Sequence, residues 1–257
     1  MWSELRLGLV PVLWCVLCPG ITVAQEDDDK SDNQTRDFAS YFSECKRGES
    51  GFDDCIKDAL NAVRPFFKTG VPDLKIPPFD PFFAKEIVQR RGGFAINYRL
   101  VLRNVQERGW TESEVTSFRS DPVLNLVQYT QFFPEKWLEG EYEGSSQILL
   151  SPPDNRGVWN LTLYNLVQTT TISRPKNSDK LKVRVDVQKI GNMNIHISNL
   201  LRGRTFMENV LDRIINASWR AGFPMLRPLI NDLVSTAFTE IFNDAFNDLE
   251  MNEILPS

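Results

Sequence analysis

A single histidine, His196, limits the acid–base and nucleophilic chemistry this chain can offer. Ser-His-Asp or Cys-His catalysis would have to centre on it. In NIHISNL, His196 alternates with Ile195 and Ile197, which places it on the polar face of a strand, as an exposed strand histidine rather than a base. Gly144-Ser145-Ser146 does not match the G-x-S-x-G elbow. Neither a phosphate-binding P-loop nor a dinucleotide fingerprint is present. The 34 acidic side chains allow a two-acid glycosidase on paper, but no spacing singles out a pair. No catalytic residue and no cofactor is expected.

What remains is apolar excess with modest polar handles. Tyr98, Tyr129, Tyr142 and Tyr164 could each give one hydroxyl to a mostly apolar ligand, or merely pack. The net charge of −5 argues against nucleic acid or anionic membranes as partners.

Residues 1–24 read as a secretory signal: Arg6 and the amino terminus, an uncharged run from Leu7 to Leu17, then small residues ending at Ala24. Residues 25–37, QEDDDKSDNQTRD, read as a disordered acidic tail, and 38–257 as one domain. Cys15 and Cys18 leave with the signal, so Cys45 and Cys55 are expected to form one disulfide. One histidine and two cysteines fall short of a zinc site, so no metal is expected. Sequons at Asn33, Asn160 and Asn216 are candidate glycosylation sites.

The elements that must position these residues follow from periodicity. Ile56, Ala59, Leu60, Val63 and Phe67 predict a helix from Ser50–Asp53 to Thr69, with Ser50 and Asp53 as a capping box, a kink at Pro65 and a stop at Gly70. The stretch GVPDLKIPPFDPFF (70–83) is too rich in proline for a helix or central strand, and reads as an apolar strap to the first strand. That strand is GGFAINYRLVLRNV, with Phe94, Ile96, Tyr98, Leu100 and Leu102 on one face. Further strands are expected at VTSFRS, VLNLVQYTQFF, KWLEGEY, SQILLS, VWNLTLYNLVQTTTIS, KLKVRVDVQKI and NIHISNL. No helical pattern intervenes, so the sheet should be an antiparallel meander. Trp159, Leu161 and Leu163 share a face in VWNLTLYN, leaving Asn160 wet. The last fifth is helical, interrupted at Pro224 and Pro228, with a final helix of about 37 Å over Pro224–Asp248. Its stripe is wide enough to need surrounding.

Three runs then carry a resemblance: the helix–Gly-Val-Pro run through Pro77-Pro78-Phe79-Asp80-Pro81, Leu-x-Gly-x-Tyr-x-Gly at Leu138–Gly144, and Asn-x-x-Trp…Pro at Asn216–Pro228. In this order the chain resembles the insect takeout/juvenile hormone-binding protein family over nearly the whole mature length, a branch of the TULIP-like lipid-binding superfamily. The resemblance implies an α+β fold: a long carboxy-terminal helix wrapped by a strongly curved antiparallel β-sheet, with a short amino-terminal helix stapled by a disulfide. It also implies secretion into haemolymph or sensory fluid, a link to feeding or clock output, and an internal hydrophobic tunnel. The ligand implied is juvenile hormone, a terpenoid or a fatty-acid-like molecule. The chain departs from the moth hormone carriers in lacking cysteines for their second disulfide, and has Arg202-Gly203-Arg204 where relatives often carry Asn-Gly-Asn.

The function expected is a secreted, monomeric carrier. Its candidate lining is Phe94, Ile96, Tyr98, Val127, Tyr129, Phe133, Trp137, Leu161, Leu163, Phe223, Leu229, Leu233 and Phe238, although core and lining look alike in sequence. The alternative is a secreted interaction module with a filled core that acts through a protein partner.

Overall fold

The computed structural model describes residues 38, 40–72, 78–91, 98–146, 155–176, 178, 180–201 and 203–246. The expected signal and acidic tail with Asn33, residues 73–77 of the strap, Phe94, Ile96, residues 147–151 of the strand expected at SQILLS and the tail after Asp248 lie outside these residues.

Helix α1 spans Phe52–Ala62 and buries Phe52, Ile56, Ala59 and Leu60, one face at helical spacing. The expected capping box does not form. Asp53 instead accepts from the backbone N–H and hydroxyl of Ser120, at 3.1 and 2.7 Å, docking the helix on the sheet. Nor does the helix run on to Thr69. Pro65 has no N–H for the carbonyl of Asn61, and the Arg64 side chain donates to that carbonyl instead, at 2.8 Å. A separate turn, α2 (Phe66–Thr69), follows and ends at Gly70 with φ 70°. Cys45 and Cys55 form the expected disulfide.

The described ends of the strap lie on the body. Val71 and Phe79 are buried. The backbone N–H groups of Phe79 and Asp80 both donate to the carbonyl of Phe67. The carboxylate of Asp80 accepts from the N–H of Gly109 and from the N–H and hydroxyl of Thr111.

Seven antiparallel strands form one sheet: β1 (Phe82–Arg91), β2 (Tyr98–Arg108), β3 (Glu114–Asp121), β4 (Leu126–Ser146), β5 (Asn155–Ser173), β6 (Lys182–Lys189) and β7 (Asn192–Ile197). The first strand is thus β1, which the charged FFAKEIVQRR concealed because it lacks a clean alternation. The order is β1-β2-β4-β5-β6. The two long strands β4 and β5 pair from Leu126↔Ser173 to Gly144↔Asn155. Each has two short strands in line along its other edge: β3 then β2 beside β4, and β6 then β7 beside β5.

Sequence periodicity splits β4 at Pro134, yet the strand is continuous through it. Pro134 falls between the last β3 rung, Glu114↔Phe132, and the first β2 rung, Arg108↔Trp137, where one edge of β4 has no ladder to lose. Opposite it, Asn165 sits at φ 50°. In β2, Asn104 (φ 52°) lies at a bulge between Arg103 and Gln106, facing Gly140. These breaks lie at two levels of the sheet, Pro134 with Asn165 and, farther along β4, the Asn104 bulge with Gly140, and each bends it.

Helix α3 runs unbroken from Thr205 to Phe246, 42 residues or about 63 Å. The expected interruptions at Pro224 and Pro228 do not occur. Both prolines are exposed, so the carbonyls they free, those of Arg220 and Pro224, share a face open to water. The helix is also held from the side. Asn231, Ser235, Thr239 and Asn243 accept from the backbone N–H of Val187, Val185, Val183 and Leu181, at 3.0, 2.8, 3.0 and 2.8 Å. Ser235, Thr239 and Asn243 also donate back to the carbonyls of those residues. The match is geometric: four helical residues rise about 6 Å and two strand residues about 6.7 Å. Asn216 repeats the contact on Ile195 of β7. The outer edge of β6 is therefore sealed by side chains rather than by another strand. At the opposite edge, buried Gln89 of β1 donates to Asp232. The helix so bridges both edges of the sheet, which curves around it.

Candidate ligand-binding interior

The kink at Pro134 and Asn165 divides the inner face of the sheet. On one side lies a filled core: Val127, Phe133, Leu166, Ile172 and Val183 from the sheet, with Ile56 and Val63 from the α1 segment and Phe242 from α3. Aromatic rings run through it. Phe67 lies 4.2 Å from Phe79, Phe79 6.1 Å from Trp110, and Trp110 5.3 Å from Phe133. At its border the ammonium of Lys136 sits over the rings of Trp110 and Phe133, at 4.3 and 4.2 Å. It is paired with the carboxylate of Glu107, both side chains being almost wholly buried.

On the other side the inner face is differently made. The break at Pro134–Glu135 shifts the alternation of β4 by one residue. Gln131 and Phe133 face inward before it; Lys136, Leu138, Gly140, Tyr142 and Gly144 face inward after it. The Leu-x-Gly-x-Tyr-x-Gly run therefore presents large and absent side chains inward, with Glu139, Glu141 and Glu143 outward. Arg103 binds Glu143 at 2.8 Å and Glu86 at 3.0 Å on that outer face, and its guanidinium holds the Glu143 carboxyl below the usual range. Across the ladder, Trp159 faces Gly140 and Ile197, Leu161 faces Leu138 and Ile195, and Leu163 faces Lys136 and Met193. Trp159, Leu161 and Leu163 are only half-buried. Leu102, Trp159 and Leu163 of the sheet, and Phe223, Ile230 and Val234 of α3, are partly buried and pack against the core.

A polar knot closes the far tip. The Tyr142 hydroxyl donates to the carbonyl of Ser198 at 2.7 Å, and burial, with the nearby Glu208 charge, raises its pKa. Glu208, itself buried, accepts from the N–H groups of Asn199, Leu201 and Gly203. His196, half-buried on the outer face, pairs with Asp212 of α3 through Nδ1.

The sequence-derived lining is thus spread over two regions. Val127 and Phe133 belong to the filled core, with Tyr129 at its margin, and Phe238 packs on Phe242 at 6.2 Å. Leu161 and Leu163 share one face of β5, and Phe223 of α3, like Leu163, packs partly buried against the core. Trp137 stands on the outer face under the Arg108 guanidinium at 5.0 Å, because the alternation that aligned it with Phe133 breaks at Pro134. Leu233 is half-buried, Leu229 is exposed, and Tyr98 is the first residue of β2. Sequence reasoning missed Leu138, Gly140, Ile195 and Ile197; the alternation within Leu138–Gly144 was the available signal. Asn160 is exposed, whereas both ends of the Asn216 amide are engaged by Ile195. Among the described residues, no group of three or more His, Cys, Asp or Glu is placed to hold a metal. No helix among them is long and apolar enough to cross a membrane.

No curated protein matches this chain in sequence. Among solved structures, Takeout 1 of Epiphyas postvittana superposes with a TM-score of 0.55 at 17% identity, covering 80% of this chain and 96% of that one. A lipopolysaccharide binding protein gives a TM-score of 0.29 at 11% identity over 74% of this chain and 38% of its own, too low to carry any argument. The Takeout 1 likeness shows the fold: a curved antiparallel sheet around a long carboxy-terminal helix. The family model for haemolymph juvenile hormone binding protein matches residues 16–256, nearly the whole chain. The protein belongs to the haemolymph juvenile hormone binding protein family.

Proposed function

We propose that the protein is a secreted, non-catalytic carrier that holds one small lipophilic molecule between the lightly packed half of the sheet and α3. The observation that carries this reading is the contrast across the kink. One half of the inner face is filled by buried aromatics, while the other carries half-buried Trp159, Leu161 and Leu163, with Trp159 facing the inward Gly140. Apolar surface that the fold itself leaves partly covered is what a lipophilic ligand can complete. A terpenoid or fatty molecule burying about 400 Å² of apolar surface gains roughly 10 kcal/mol at 25 cal/mol per Å². Association costs at least several kcal/mol of that, which leaves micromolar to nanomolar binding. The family's name points to juvenile hormone; a terpenoid or fatty chain of similar size fits the same argument. The putting-out of such a carrier into extracellular fluid accords with the signal-like residues 1–24 and the Cys45–Cys55 disulfide. Exposed Asn160 is the sequon proposed to carry glycan.

Native mass spectrometry of protein purified from its own secretion tests the carrier reading, together with displacement of the fluorescent apolar probe N-phenyl-1-naphthylamine. A co-purifying lipid and saturable displacement are expected. Neither lipid nor probe binding would sink it.

A further inference from the structure

Phe206, Val210, Ile214, Ala217, Ala221 and Met225 recur at spacings of three and four, so they form one stripe along the first half of α3. Phe206, Ile214 and Met225 are 76%, 57% and 80% exposed. Exposed Pro224 and Pro228 lengthen the stripe. Over residues 206–228 it measures about 33 Å. It lies opposite the inward side of the helix, which buried Glu208 and Trp219 mark at a separation of three turns. A lone exposed apolar side chain is ordinary; a continuous row of them on one element is the mark of a contact surface.

The charge around the stripe is mostly of one sign. Arg213, Arg220 and Arg227 recur every seven residues, about two turns, along one flank, and exposed Arg204 stands near its start. The two acidic residues of 203–231 are both engaged, Glu208 by three backbone N–H groups and Asp212 by His196. Arg227 is bound to Asp186. Arg220 donates to the carbonyl of Gly191 at 2.7 Å and stands over the Trp219 ring at 5.2 Å, contacts that leave its positive charge in place.

The net charge of −5, unfavourable to anionic membranes when read from composition, sits mostly elsewhere: residues 25–37 hold six acidic and two basic side chains. A second copy of the chain is the poorer occupant. In a symmetric pairing of two stripes, the arginine row of one copy meets no acidic row on the other. An apolar stripe flanked by arginines is instead complementary to a surface that is apolar beneath and anionic above. We propose that the first half of α3 is a docking face for membranes containing anionic phospholipid. Phe206, Ile214 and Met225 enter the boundary between headgroups and acyl chains, and Arg204, Arg213 and Arg220 meet phosphate. The helix lies in the plane of the membrane and does not cross it. The proposal uses the side of α3 turned away from the sheet, so it stands whether the interior is a carrier's or a filled core.

The test is flotation of the purified protein with vesicles of phosphatidylcholine alone and of phosphatidylcholine mixed with phosphatidylglycerol. Saturable binding to the mixed vesicles is expected, with far weaker binding to the neutral ones and release in molar salt. Arg213→Gln should weaken binding to the mixed vesicles about fivefold and Met225→Ser about tenfold. Both positions are exposed, so the urea midpoint should hardly move. Absence of binding to either vesicle, or binding that neither substitution weakens, overturns the proposal. A dimer in sedimentation velocity that Met225→Ser dissolves, without vesicle binding, would give the stripe to a second copy and overturn it too. A readout on the wild type needs no variant. Nitroxide-labelled lipid in the mixed vesicles should broaden the methyl NMR signals of Met207, 50% exposed on α3, and Met225, and spare that of half-buried Met193 on β7. Equal broadening of all three sinks the proposal.

Discussion

The two halves of the sheet share strands but not a way of being held. On the α1 side of the kink, Phe38, Phe42, Val63, Phe133, Leu166 and Val183 are almost wholly buried, and the aromatic series from Phe67 to Phe133 leaves little to add. On the other side Trp159, Leu161 and Leu163 are half-covered, and glycine stands where β4 could have placed a side chain. Among the described residues of that side's strands, Val101 is the one apolar side chain below 2% exposure. One half is thus a core in the ordinary sense, and the other a wall that needs something against it. Stability and binding can then sit in different parts of one sheet, as low-stability regions often carry function.

The largest effect separates the halves directly. Phe133→Ala opens a hole where nothing can collapse to fill it, and should cost about 3–5 kcal/mol. Leu161→Ala removes a half-covered side chain and should cost about 1 kcal/mol, yet weaken probe binding. Urea denaturation of both variants, with N-phenyl-1-naphthylamine titrations alongside, checks this. Similar stability losses for the two would erase the distinction between a packed and a lightly packed half.

A middle-sized effect concerns how α3 is fastened. Thr239→Val keeps the shape but removes the hydroxyl that serves both the N–H and the carbonyl of Val183. Two backbone groups at the edge of β6 lose their partner, at a cost of about 1–3 kcal/mol. Hydrogen exchange should show the Val183 amide losing protection first, with the amides of β7 unaffected. Uniform loss across both strands would mean that the ladder does not act locally.

These contrasts also mark where sequence is a good guide. β5 and β6 are legible in VWNLTLYN and KLKVRVDV because apolar and polar residues alternate without interruption. The disulfide is legible because two cysteines, Cys45 and Cys55, follow residue 24. β1 is not, since Lys85, Glu86 and Arg90 lie on an edge strand whose pattern is set by solvent. Pro134 misleads twice: it looks like a strand end, and it flips the face of every residue after it, sending Trp137 outward and Leu138 inward. In α3 the prolines look like breaks because periodicity cannot see that Asn231, Ser235, Thr239 and Asn243 grip the neighbouring strand. The lightly packed interior is the least legible part. An inward leucine in a core and one in a wall have the same neighbours in sequence, and differ only in what the third dimension leaves uncovered.

The smallest effect tests whether the lightly packed half leans on charge where it lacks packing. On its outer face Arg103 joins Glu86 of β1 to Glu143 of β4, with Arg99 3.7 Å from Glu143. The hydrogen bond from Arg103 lowers the Glu143 pKa, so the folded state binds a proton at this site less readily than the unfolded chain. The stabilisation is then complete above the ordinary glutamate pKa and is lost as pH falls through the lowered folded value. The group is open to solvent, so salt should screen the effect. The difference in urea midpoint between wild type and Glu143→Gln should be small and in favour of wild type at pH 7, shrink below about pH 4, and shrink likewise in molar salt. A difference that persists at acid pH would assign the effect to the shape of the side chain, and leave the outer face of this half without an electrostatic fastening.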